Sequence, residues 1–168
     1  LSLAYAHQTR DYSVRANYTN VAEDFRADLG FQSQANFEKV MLGGNQTWYG
    51  TAKDTLTQWG YFGDWDKTYD QDGKMLEQEY EMFAEAQGHM QMYANLGFIH
   101  REKFFNGKYF IENQVRSYAR FTPVSSLKLQ FFTRFGKQID YANTRLGDAF
   151  NFETTATWDA NKHINIDF

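Results

Sequence analysis

Charged side chains recur at alternate positions in several stretches of this 168-residue chain. Arg116 and Arg120 flank Tyr118, Lys128 and Arg134 share the stretch LKLQFFTR, Glu79 and Glu81 flank Tyr80, and Arg15 and Glu153 sit in segments of similar rhythm. Acidic and basic residues on facing walls create a transverse field that orients polar solutes between them. The same residues could equally form a salt-bridge network that fills and stabilises the space.

Other chemistry is thinner. Thr68, Asp70, Asp72, Gly73 and Glu79 have most of the spacing of a twelve-residue calcium loop, but Thr68 replaces the first carboxylate and no flanking helices are evident. Asp72-Gly73 between two strands is also an ordinary hairpin turn, which is the preferred reading. His7, His89, His100 and His163 fall near strand ends without metal spacing, so no metal site is expected. Ser13 has no evident base or oxyanion partner and Ser125-Ser126 lies in a turn, so catalysis is not expected and no cofactor is implied. There is no cysteine. The net charge is -4 and no basic cluster exists, which argues against nucleic acid as a partner.

The elements that must position these residues read as antiparallel strands. Residues 109 to 135 form the clearest hairpin, broken only by Thr122-Pro123-Val124-Ser125-Ser126. Its oily positions are Ile111, Val115, Ala119, Phe121, Leu127, Leu129, Phe131 and Phe135; the others carry Glu112, Gln114, Arg116, Tyr118, Arg120, Lys128, Gln130, Phe132 and Arg134. Similar alternation marks residues 1 to 7, 12 to 19, 36 to 48, 55 to 65, 90 to 98, 150 to 158 and 163 to 168. Residues 76 to 86 complete a set of about ten, although LEQEYEMFAEAQ has helical propensity. Gly43-Gly44 suggests a bend or bulge.

The connections read as alternately short and long: 9 to 11, 20 to 34, 50 to 54, 66 to 75, 87 to 88, 100 to 108, 122 to 126, 138 to 149 and 159 to 162. Aromatic residues make up 18% of the chain and gather near strand ends. Tyr12, Trp48, Phe121 and Trp158 stand by the short turns, and Tyr18, Tyr61, Phe98, Phe135 and Phe150 toward the long ones. Short turns at one rim, longer loops at the other and two aromatic girdles are the pattern of a transmembrane barrel. The expected fold class is therefore all-β, an antiparallel up-and-down barrel of outer-membrane type. Val14, Met92, Val115, Leu129, Phe131 and Ala156 are then expected to face lipid. Arg15, Glu79, Glu81, Arg116, Arg120, Lys128, Arg134 and Glu153 are expected to line the lumen. A soluble barrel or sandwich with an aromatic core is the rival.

No apolar run of about 18 residues or more exists, so a transmembrane helix is excluded. The short first and last strands suggest a single barrel segment, residues 1 to 168, belonging to a larger barrel, because open edges are unfavourable in lipid.

Within residues 16 to 37, Tyr18, Val21, Asp24-Phe25, Ala27-Asp28 and Gly30-Phe31 form a strand end, a loop and the next strand. This segment, with the later TPVSSLKLQ, resembles the C-terminal outer-membrane β-barrel region of bacterial proteins whose N-terminal module is similar to carbohydrate-binding module family 9. Gln32-Ser33-Gln34 departs from the Arg that often follows the Gly-Phe pair in that family. The resemblance implies the bacterial outer membrane and a glycan connection. The expected function is a pore or uptake component for a polar solute such as a saccharide, in contact with the lipid bilayer. The alternatives are a surface anchor for a glycan-binding or hydrolytic module, and a soluble barrel holding an apolar ligand.

Overall fold

The computed structural model describes residues 1–23, 35–51, 53–161 and 164–167. Ten strands form one sheet in chain order, each antiparallel to the next. They are β1 (Ser2–Gln8), β2 (Tyr12–Val21), β3 (Phe37–Tyr49), β4 (Leu56–Tyr69), β5 (Met75–Gly88), β6 (Met92–Phe105), β7 (Lys108–Val124), β8 (Leu127–Asp140), β9 (Arg145–Asn161) and β10 (Ile164–Asp167). No helix occurs among the described residues. The sheet is not closed: β1 and β10 stand at opposite edges.

Several boundaries differ from expectation. The segments read as connections at 100 to 108 and 138 to 149 are mostly strand. β6 and β7 meet at the two-residue turn Asn106-Gly107, where both residues have positive φ, 46° and 87°. In that region Arg101 and Lys103 share one face while Glu102 takes the other. With charge on both faces the alternation vanishes from the sequence, yet the backbone groups still pair with both neighbours. The expected alternation of short and long connections thus reduces to one long connection, 22–36. Most of it, including Asp24-Phe25, Ala27-Asp28, Gly30-Phe31 and Gln32-Ser33-Gln34, lies outside the described residues. The segment with helical propensity is β5, paired along its length with β4 and β6. Gly43-Gly44 makes no bulge, since its pairing to β2 and β4 is regular.

Directly paired residues of an antiparallel sheet share a face. Val14 aligns through successive strands with Gly44, Gly63, Met82, Phe98, Val115, Phe135 and Phe150. One residue along, Arg15 aligns with Gly43, Asp64, Glu81, Ile99 and Gln114. The first face is apolar. Its charged residues Glu38, Lys67, Glu102, Lys137 and Asp148 all stand toward the end that carries connection 22–36. The second face is polar, and it holds most of the buried side chains, Phe83, Ile99, Phe110, Asp66, Glu112, Gln114 and Thr47, while Ile139, past Gly136, is buried in the register of the first face. With only one layer of sheet, those residues are covered by neighbours on their own face; the polar face is called inner and the apolar face outer.

Candidate functional site

The inner, polar wall divides into two parts. On β2 to β6 every cation of this face has a carboxylate partner, while Glu85 makes no ion pair among the described residues and accepts from the Tyr93 hydroxyl instead. Arg15 reaches across β3 to Asp64 at 2.7 Å, passing over Gly43, where a Cβ would come within 2.7 Å of the Asp64 Cβ. Lys39 stands 3.0 Å from Asp66, and Lys103 stands 2.7 Å from Glu77. Arg101 lies 3.8 Å from Glu79 and donates through Nε to Glu112 Oε2 at 2.6 Å. Glu112 is 1% exposed, and its second oxygen accepts the Ile139 amide at 2.7 Å. A buried carboxylate with this many donors is compensated; without them it would cost several kcal/mol.

Phe83, on β5, reaches across Gly97 of β6 to the second part. It is fully buried, stacks on Phe62 at 5.1 Å and covers Gly97, where a Cβ would fall 2.1 Å from its ring. The guanidinium of Arg116 lies 4.5 Å from its ring centroid.

Further along this face the matching stops at Arg120, Lys128 and Arg134, although Arg145 on β9 stands 3.1 Å from Asp140 on β8. Arg116 and Arg134 are direct cross-strand partners on the same face. Arg116 comes only within 4.0 Å of Glu81, and Arg134 donates instead to Gln114 Oε1 at 2.6 Å. Arg120 sits 5.6 Å from the Tyr93 ring centroid, while the Tyr93 hydroxyl is turned to Glu85 at 3.0 Å. Among the described residues, no carboxylate forms an ion pair with Arg120, Lys128 or Arg134. Glu153 shares a row with Tyr118 and Phe132 and accepts from Asn151 at 3.1 Å.

All eight residues expected at the lumen therefore share the inner face: Arg15, Glu79, Glu81, Arg116, Arg120, Lys128, Arg134 and Glu153. Val14, Met92, Val115, Leu129, Phe131 and Ala156 share the outer face, as do Tyr12, Trp48, Phe121, Trp158, Tyr18, Tyr61, Phe98 and Phe135. The two-ring division needs correction. Tyr61 lies in the row of Tyr12, 5.7 Å from Trp48, and Phe98 is mid-strand because β6 continues to Phe105. Between these aromatics the paired glycines Gly44 and Gly63 floor a groove of about 590 Å³, walled by Tyr61, Trp65, Tyr80 and Met82.

Asp64, Asp66, Lys39, Arg101, Lys103 and Phe83 were not anticipated as site residues. Arg101 and Lys103 lay in one segment read as a connection, 100 to 108, and Asp66 in another, 66 to 75, while the partners of the others emerge only from the register. The 68 to 79 segment forms a hairpin turn: Asp70 Oδ1 accepts the amides of Asp72 and Lys74 at 3.1 and 2.9 Å, and Gly73 has a φ of 81°. Glu79 belongs to the inner wall beside Arg101. His7 contacts the Tyr12 hydroxyl at 3.3 Å, and His100 is mid-strand at 2.7 Å from Asn113. His89 is in the β5–β6 turn, and His163 lies outside the described residues. Comparison with protein-family models, with curated proteins and with solved structures gave no match.

Proposed function

We propose that the chain is the wall of an outer-membrane-type β-barrel in a bacterial cell, whose charged face lines an aqueous lumen that passes or takes up a polar solute. One observation carries this reading: the polarity of the sheet is inverted. Glu112, Gln114 and Asp66 are buried, while Met82, Phe98, Phe135 and Phe150 are 61%, 49%, 48% and 71% exposed. In water each large apolar side chain left exposed forgoes about 1.5–3 kcal/mol. Against hydrocarbon there is no such loss, and the charge-free outer belt meets the requirement that charge stay off the lipid face. Strands of 13 to 17 residues from β3 to β9 exceed the roughly 9–11 needed to cross a bilayer, leaving charged extensions beyond the belt at one rim. Closure in lipid requires further pairing at the β1 and β10 edges.

The test is conductance of the full-length protein in a planar bilayer, with discrete openings expected. A protein that folds in the bilayer and never conducts is a surface anchor. One that stays monodisperse without detergent holds its apolar face against something other than lipid, and the barrel reading is then lost.

A further inference from the structure

We propose that the β7–β8 part of the inner wall is a binding file for oxyanions, so that the solute handled there carries phosphate, sulfate or carboxylate groups. This rests on the lumen reading and narrows it. Arg116 and Arg134 are held directly opposite each other, an arrangement that destabilises a sheet unless something negative lies between or above the two charges. On β2 to β6 each inner-wall cation has a carboxylate: Arg15 has Asp64, Lys39 has Asp66, Arg101 has Glu112 and Lys103 has Glu77. The same face on β7 and β8 departs from that rule at Arg120, Lys128 and Arg134, and nearly so at Arg116. Glu153, close by, is turned to Asn151.

The cations are also held from beneath. Arg116 rests on Phe83, Arg120 rests on Tyr93, and Gln114 fixes the Nε of Arg134, whose terminal nitrogens make no other hydrogen bond among the described residues. A guanidinium fixed in this way presents its fork to an oxyanion at little further entropic cost. Same-face positions recur about every 7 Å along a strand. The Arg116/Arg134 row, Arg120 and Lys128 thus form a file about 20 Å long, suited to a solute with several anionic groups. A neutral saccharide would need free hydroxyl-bonding carboxylates and amides, and here Gln114 is bound to Arg134, Gln130 accepts from Tyr118 and Glu153 accepts from Asn151.

Titration calorimetry of the full-length protein in detergent, with inorganic pyrophosphate as probe, decides the matter. The wild type is expected to bind, and Arg120→Gln/Lys128→Gln to bind at least tenfold more weakly. Arg120→Lys/Lys128→Arg, which keeps both charges, is expected to bind as the wild type does. No binding to the wild type, or equal binding to the neutralised variant, overturns the proposal. Reversal potentials under a KCl gradient test the lumen separately. Absence of conductance removes the pore while leaving calorimetry to decide the anion file, and a cation-selective conductance counts against the file.

Discussion

The two parts of the inner wall are built from the same residue types on one continuous sheet, yet they solve opposite problems. From β2 to β6, each base has an acid, and across the β6–β7 seam Glu112 can sit at 1% exposure between Arg101 and the Ile139 amide. On β7 and β8, Arg116, Arg120 and Arg134 are supported by Phe83, Tyr93 and Gln114, and among them only Arg116 comes near an acid, Glu81 at 4.0 Å. A paired charge contributes structure and leaves little field outside itself; an unpaired one contributes little structure and keeps its field available. The wall thus sets a paired scaffold beside a stretch whose cations keep their field.

That contrast can be broken most directly at Glu112. Glu112→Ala strips Arg101 of its closest partner and Ile139 of its acceptor, and should cost about 3–5 kcal/mol, nearer the low end because Glu79 remains 3.8 Å from Arg101. Unfolding in micelles by urea measures it, and a change under about 1 kcal/mol would show that the paired half is not load-sharing at all. On the outer face of β7, Val115→Arg places a charge in the middle of the belt and should destabilise the bilayer-inserted protein by about 2–4 kcal/mol. The same change at Leu129, two residues from the start of β8, should cost less. Equal penalties at the two depths would count against a lipid-facing belt.

Arg120→Gln supplies the opposite limit. With no ion pair to lose, its stability should stay within about 0.5 kcal/mol of wild type. A loss as large as that at Glu112 would mean the two halves do not differ.

The smallest effect belongs to the turn beside the paired half. Hydrogen bonds from the Thr51 amide and hydroxyl, at 2.7 and 2.9 Å, hold Asp54 below the ordinary aspartate value. A depressed carboxylate stabilises the fold above its unfolded pKa, near about 3.9, and that contribution disappears as pH falls through the folded value. Stability of wild type should therefore drop slightly more than that of Asp54→Asn between about pH 5 and pH 3. Parallel curves for the two proteins would show that the turn contributes nothing measurable.

Much of this was legible in the residues themselves. Alternation in 12 to 19 and in 109 to 135 sufficed to separate Arg15, Arg116, Arg120, Lys128 and Arg134 from Val14, Val115, Leu129 and Phe131, and the weaker rhythm of 76 to 86, 90 to 98 and 150 to 158 did the same for Glu79, Glu81, Met92, Glu153 and Ala156. Strand ends were lost where both faces become polar, as at Arg101, Glu102 and Lys103, because periodicity reports a difference between faces and not the hydrogen bonding itself. β5 carries Glu77, Glu79, Glu81 and Glu85, good helix formers, and two flanking strands overrode that preference. Pairings such as Arg15 with Asp64, 49 residues apart, depend on register and on the vacancy above Gly43, neither of which local pattern encodes.

The β7–β8 junction has a mechanical consequence. Pairing between these strands runs from the Val124–Leu127 turn only as far as Gln114 and Gly136, whose φ of 138° turns β8 aside. Beyond that point side chains replace the ladder: Gln114 donates to the Lys137 carbonyl and Glu112 accepts from Ile139. The hairpin is zipped at its closed end and pegged at its open end. Its mouth can part by releasing two side chains while the adjoining ladders of β6 and β9 stay whole.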